Sequence, residues 1–548
     1  MPGVEKSLSY LKHDPRWGAE KLPSVPEVPL FEIIDPTIKR LPNKAALFSF
    51  GGEVTYKQLD DMSDRLAAAL ADIGIKKGDR VGVVLPNCAQ AVIAFHGIIK
   101  AGAVSVPCNV MSTPADLTYI FNDAGVAVVL CLDLLCPSIQ NIKANTGIRQ
   151  VISVHPLDIS GPGGWIPALL SGPKTSTPEC PDFTSLLERY KPGRPRLKFN
   201  PREDLALVIY TAGTLGVPKG VMQTHYAMVY TTLINGSDCG VDGNDVAIQI
   251  LPMFHISGYY QMLYPVLYRG GSVVMVPMFD AGAFLKLIDT CKVTFIVAPP
   301  TLYVGLLNHP DLPKYNLRNM KATIAGAAPV PAALQQSWQK TTGLELNQGW
   351  GMTETNGGAI LSLPNKKNTD SIGVPRNGEV KIIDKDGKTL PRGEVGEIMF
   401  RGPQVAKGYW NKLEETAKTF EPDGWLHTGD AGYICEDDFV YFVERIKDLI
   451  VASGYNIAPF EVESVILTNP AVREVSVIGV PDEYRGETVK AFIVLKDEYR
   501  GKTTESEIIE FCKDRLAAYK RPHLVEFIPE LPKNTVGKVL RRELRVKK

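Results

Sequence analysis

From residue 55 to residue 135 the chain alternates between helical and strand periodicity. Thr55-Tyr56-Lys57-Gln58 fits a capping box, with Thr55 as N-cap and Gln58 reaching back. Leu59, Met62, Leu66, Leu70 and Ile73 follow at steps of three and four, which places them on one helical face, and Gly74 is suited to end that helix. Arg80–Leu85 reads as a strand, Val92–Lys100 as a helix closed by Gly102, and Ala103–Pro107 as a strand. Asp116–Asn122 reads as a helix and Val126–Leu132 as a strand. Strand and helix in strict succession predict a parallel sheet covered by helices. A second series, from Val246 through Val273–Val276 and Thr294–Ala298 to Ala322–Ala325, implies a second layer of the same kind. The predicted fold class is α/β.

At 548 residues the chain exceeds what one core supports, so a large and a small unit are expected. The composition changes at Glu444–Asp448, which predicts units of residues 1–445 and 446–548. The second has helix signals at Phe460–Thr468 and Glu505–Leu516 and strand signals at Val475–Val480 and Lys490–Leu495. Residues 155–204, dense in Pro, Gly and Ser, read as an exposed excursion and not as a domain. With 60 basic and 60 acidic side chains the formal charge is zero, and nothing suggests a nucleic-acid partner. No stretch reaches the ~18 apolar residues of a membrane span, and neither a secretory leader nor a peroxisomal terminus is expected. Nine cysteines without CxxC pairs, with Cys108, Cys131 and Cys291 in apolar runs, read as reduced thiols of a cytoplasmic protein, not as metal ligands.

The densest chemical signal is Tyr210–Gly220, YTAGTLGVPKG, which follows the apolar run Leu205–Ile209. Gly213, Gly216 and Gly220 let backbone N–H groups turn toward an anion, Thr211 and Thr214 add hydroxyls, and Lys219 adds a mobile charge. Ala212 and Leu215 complete the loop. The set suits a polyphosphate, but Lys219 is followed by Gly220, so this is not a Walker A loop.

Further motifs follow in order: Ala325-Gly326-Ala327-Ala328-Pro329, Gln348-Gly349-Trp350-Gly351-Met352-Thr353-Glu354, the stretch Gly424–Asp430, Glu444–Asp448, Ser453-Gly454-Tyr455 and Pro532–Lys538. Together with Tyr210–Gly220 they resemble the adenylate-forming superfamily of acyl-CoA synthetases, adenylation domains and luciferases, from about residue 30 to about 545. The resemblance implies layered α/β sheets plus a distorted β-barrel in the large domain, and a small mobile α+β C-terminal domain. It implies ATP, Mg²⁺ and CoA as cofactor and co-substrates. Gly326, Ala327 and Ala328 would lie against adenine, with Gln348, Gly349, Trp350, Gly351 and Met352 beside the nucleotide. Trp350, where Tyr is commoner, would stack on the base. Thr353 would donate to the α-phosphate and Glu354 would hold the metal. Asp430 would accept the ribose hydroxyls, aided by Arg445. Lys447 matches the hinge, and a strand-like segment would put it on one side with Arg445; Ser453, Gly454 and Tyr455 match the thioester-forming segment, and Lys538 the adenylation lysine. Ala212, Leu215 and Val536 depart from hydroxylic residues usual in the family, which predicts slower or weaker use of ATP.

Leu251–Gly258 resembles the segment beside the acyl tunnel, with His255 at the carboxylate. Tyr259, Tyr260, Pro299, Pro300, Thr301, Tyr303 and Met352 are tunnel candidates by family position. None is charged, so an apolar carboxylic acid is expected: fatty, branched, alicyclic or aryl. The implied activity is an AMP-forming acid–thiol ligase. A luciferase-like oxidase, a carrier-protein loader and a nucleotide-binding protein without turnover share parts of this pattern. The resemblance also allows a homodimer.

Overall fold

The computed structural model describes residues 9–12, 24–211, 217–328, 330–362, 368–376, 378–452, 455–533 and 539–546. Ala212, Gly213, Thr214, Leu215, Gly216, Pro329, Ser453, Gly454, Val536 and Lys538 lie outside the described residues.

The alternating stretch folds as its periodicity predicts. The helix Tyr56–Asp72 begins at the Thr55–Gln58 capping box and buries Leu59, Leu66 and Leu70. The helix Ala89–Lys100 starts three residues before its predicted position and is buried on every side, as expected of a helix apolar all round. Arg80–Val84, Val104–Pro107 and Val126–Leu132 join Gln150–Val154 and Leu205–Thr211 in a sheet whose sixth strand is Lys219–Thr224. Five of these strands are parallel; the last is an antiparallel hairpin partner, with Thr211 opposite Lys219.

The second series becomes a nine-stranded sheet. Its parallel centre contains Leu346–Met352, Ala322–Ala325, Phe295–Ala298, Val246–Gln249 and Ser272–Met275. The largest apolar cluster joins both sheets through the helices between them. An antiparallel unit of five strands follows: Tyr10–Lys12, Glu379–Ile383, Gly396–Arg401, Leu426–Ile434 and Val440–Arg445.

Beyond Ile450 the chain forms another sheet from Ile450–Ala452, Tyr455–Ile457, Val472–Asp482 and Gly486–Leu495, with Leu524–Phe527 added in parallel. It has its own apolar cluster with Val462, Ile466, Ile508 and Cys512 from two helices. The helix Arg541–Val546 reaches back: Arg541 pairs with Glu463 at 2.9 Å and with Glu444 at 3.0 Å.

Two local expectations need correction. Residues 155–204 are not wholly an exposed excursion, because the helix Phe183–Glu188 buries Phe183, Leu186 and Leu187 in the main core. Ile446–Asp448 is a 3₁₀ turn and not strand-like, so Arg445 and Lys447 do not share a face by strand alternation. All nine cysteines are free thiols. No helix of the described residues is long and apolar enough to cross a membrane.

Candidate active site

Parallel pairing of Ala322–Ala325 with Leu346–Met352, Ala325 opposite Gln348, puts the small-residue loop beside the Gly349–Glu354 segment. Ala327 and Ala328 are exposed. Ala327 has φ +67°, a left-handed conformation unusual for a residue with a Cβ. Such strain concentrates where backbone meets ligand. The next strand breaks register between Trp350 and Gly351, and a bulge of this kind re-aims the chain that follows. A 3₁₀ turn, Thr353–Thr355, then turns Glu354 inward.

Trp350 is 8% exposed and packs in the apolar cluster of the antiparallel unit. Its Nε1–H donates to Asp430 Oδ2 at 2.8 Å. Asp430 is 6% exposed and lies directly opposite Arg445 across the ladder. Arg445 Nε is 3.7 Å from Oδ1, an ion pair and not a hydrogen bond. Asp430 sits within the strand Leu426–Ile434, one residue after Gly429 at φ +68°.

Glu354 is 8% exposed and accepts from Tyr409 O–H at 2.8 Å. Burial pushes its carboxyl above the usual range; Tyr409, Arg445 and Lys219 oppose that rise. Tyr409 comes close because residues 407–410 run beside Lys219–Thr224, through Met222 N–H to Gly408 O and Trp410 N–H to Gly220 O. Lys219 lies 5.0 Å from the Tyr409 ring centroid and pairs with Glu415. Gln223 Nε2 donates to the Thr353 carbonyl at 2.6 Å.

The acyl candidates separate. Gly258 is required at its turn, since a Cβ there would lie 2.5 Å from the Pro252 carbonyl. This turn holds His255 next to Phe254, ring centroids 4.6 Å apart. Tyr259 lines a small cavity of about 10 Å³ with Met253, Phe254, Leu85, Pro107 and Cys108. Tyr260 packs on Gly357, where any Cβ would meet its ring at 2.0 Å. Thr301 is exposed on the first turn of Pro300–Leu307, and Met352 is partly buried against the antiparallel core.

Tyr303 stands apart from the cavity at Tyr259, whose lining does not include it. It is fully buried, its hydroxyl donates to the Ile296 and Ile324 carbonyls, and its ring meets Trp338 edge-on. Gln348 is also turned away from the exposed loop: its amide holds the Thr369 and Ser371 carbonyls. In the last segment, Tyr455 is 55% exposed and stacks on Tyr519 at 4.5 Å. Lys447 is exposed, and its ammonium is lowered by partial desolvation and by Arg445.

Sequence reasoning missed Tyr409, Glu415, Leu85 and Cys108. The signal for Tyr409 was weak: a Gly-Tyr-Trp triplet with no chemistry of its own.

A family model described as AMP-binding enzyme matches residues 34–410, and one described as AMP-binding enzyme C-terminal domain matches residues 461–538. The chain belongs to the AMP-binding enzymes. Among members of this family, it is 38% identical to a long-chain-fatty-acid–CoA ligase of Bacillus subtilis, over 99% of this chain and 98% of that one. A long-chain-fatty-acid–CoA ligase of Escherichia coli O6:H1 is 33% identical, with 94% of each chain covered. The crystal structure of the anthranilate CoA ligase AuaEII in complex with anthranoyl-AMP superposes with a TM-score of 0.85 at 30% identity, covering 96% of this AMP-binding enzyme and 98% of the ligase.

Proposed function

We propose that this AMP-binding enzyme activates an apolar carboxylic acid with ATP and passes it to CoA. In the first step the acid's carboxylate attacks the α-phosphorus of ATP, forming acyl-AMP and releasing pyrophosphate. In the second the CoA thiol attacks the acyl carbonyl, the thiol proton is lost, and AMP leaves. One observation carries the reading. Along eight residues, Gln348 to the 3₁₀ turn at Glu354 and Thr355, the chain meets one buried carboxylate through Trp350 and supplies a second, Glu354. One suits a ribose diol, the other a cation beside phosphates.

Asp430 and Arg445 hold the ribose, and Thr353, Lys219 and the loop Thr211–Gly216 meet the phosphates. The loop Gly326–Ala328 takes the adenine. Glu354 fits Mg²⁺: it is a buried carboxylate whose ionised form burial disfavours and a cation would stabilise. Among the described residues no cluster of three ligating side chains is present, which suits an ion held by one carboxylate and phosphate oxygens. When bound, the ion supplies charge neutralisation at the phosphates. His255 borders the carboxylate, with Tyr259 and Tyr260 behind it.

Residues 1–445 act as the large domain and 446–548 as the small one. Lys447 is the hinge that brings Lys538 inward for the first step and Ser453, Gly454 and Tyr455 inward for the second. Nine free thiols suit a reducing compartment such as the cytoplasm. Relatives that act on long-chain fatty acids, and a structural neighbour that holds anthranoyl-AMP, favour a fatty or aryl acid. The cavity at Tyr259 has room for little more than one water, about 10 Å³, so a long chain requires its walls to move.

The test is ATP–pyrophosphate exchange across fatty, branched, alicyclic and aryl acids, followed by CoA addition. Acid-dependent exchange and acyl-CoA formation are expected. Absence of exchange with every acid would overturn the reading.

A further inference from the structure

We infer that Trp350 is a positioning residue for ribose, acting through Asp430, and not only an aromatic surface for the base. The inference rests on the reading that Asp430 receives the ribose hydroxyls.

The argument starts from the bond. Trp350 Nε1–H to Asp430 Oδ2, at 2.8 Å, joins residues 80 apart in the chain, both nearly buried. A carboxylate that must accept from two vicinal hydroxyls needs a set orientation, since each oxygen has to point its lone pairs at one hydroxyl. Cross-strand pairing places the Asp430 backbone opposite Arg445, but does not set the carboxylate's rotation. The Asp430 N–H is occupied by Thr428 Oγ1 at 3.1 Å, and Arg445 stands off at 3.7 Å. The indole is a close, buried side-chain donor that holds the plane of the carboxylate. It is itself immobilised: Trp350 lies opposite Ile360 in the ladder and packs with Val380, Ile398 and Phe400. A rigid donor in the core carries no rotamer entropy cost when nucleotide arrives. The indole N–H takes one of the roughly four lone-pair sites of the carboxylate and leaves the others for the ribose hydroxyls.

The experiment measures Kd by calorimetry for ATP and for 2′,3′-dideoxy-ATP, which offers Asp430 no hydroxyl. Trp350→Phe is the first variant. A second replaces Trp350 with β-(3-benzothienyl)alanine, which keeps both rings and substitutes sulfur for N–H, so it covers the case in which the Phe variant does not fold. Loss of a hydrogen bond to a charged group predicts roughly tenfold weaker ATP binding, with dideoxy-ATP binding changed less than about twofold. Equal losses for both nucleotides would assign Trp350 to stacking or packing and overturn the inference. So would unchanged affinity for both. Asp430→Asn separates the underlying reading: it should itself erase the preference for ATP over dideoxy-ATP. If that preference survives Asp430→Asn, the ribose assignment fails and the inference falls with it. If it is lost there but kept in both Trp350 variants, the Trp350 role alone is wrong.

Discussion

The proposed ribose end and phosphate end of the site are held by different means. At the ribose end Asp430 and Arg445 face each other across one ladder, and Trp350 donates from inside the apolar core. Backbone pairing and packing hold these groups before any ligand binds. At the phosphate end Lys219 is paired with Glu415, with side chains 22% and 38% exposed, and Glu354 accepts from Tyr409. Side chains and not the ladder make these contacts, and one partner is half in solvent. The first end is preorganised; the second is occupied by protein groups that a charged ligand can displace. Preorganisation costs less on binding, whereas a buried carboxylate awaiting a cation is a cost to the free fold.

The largest expected effect tests that last point. Glu354→Gln should slow adenylation about 100-fold, the scale of losing one electrostatic group at a reacting phosphate, and raise the magnesium requirement. The same change should stabilise the free protein by on the order of 1 kcal/mol, because it removes a buried charge. Thermal melts beside exchange assays check both; a destabilised variant would break the contrast.

Asp430→Ala removes the same charge at the other end, yet the sign of the stability change should reverse. It leaves the Trp350 N–H without this acceptor in the core, at a cost of about 1–3 kcal/mol. Denaturant titration reads the loss, and ATP affinity should fall by about ten- to 100-fold with the hydroxyl contacts gone.

Tyr409→Phe is a smaller change with a pH signature. Burial already raises the Glu354 pKa and the Tyr409 hydroxyl lowers it, so its loss raises the pKa further. Activity needs the carboxylate, is present above the folded pKa and falls as pH drops through it, so the acid limb should move to higher pH. Stability runs the other way. The folded state holds this proton more tightly than the unfolded chain, so Glu354's contribution to stability falls as pH rises from the ordinary carboxylate range through the raised folded pKa. Near the raised pKa the magnesium requirement should rise, because a proton then competes with the ion for Glu354. A pH–rate profile with an unmoved acid limb would detach Tyr409 from Glu354.

Glu415→Gln should have the smallest effect. It frees Lys219 from a partly exposed pair that contributes about 0–1 kcal/mol, so stability hardly changes while KM for ATP falls about twofold. An unchanged or higher KM would place Lys219 away from the phosphates.

Much of the fold was legible in the sequence because its signals are local. The capping box at Thr55 and Gln58, the 3–4 spacing from Leu59 to Ile73 and the apolar strand Val126–Leu132 are decided within a few residues by hydrogen-bond reach and side-chain direction. The residues proposed for the site were legible through the family resemblance of the motifs that carry them. What the chain could not show was which groups each residue meets. Tyr303 has the look of a tunnel wall, yet its hydroxyl sits between two buried carbonyls. Trp350 finds Asp430 across 80 residues, and Tyr409 finds Glu354 across 55. By itself the sequence determined the α/β layering and the chemistry on offer, because periodicity and functional groups are properties of short segments. Only the tertiary structure decided the pairings, because strand register, the bulge at Trp350 and Gly351 and the depth of burial depend on the whole packed chain.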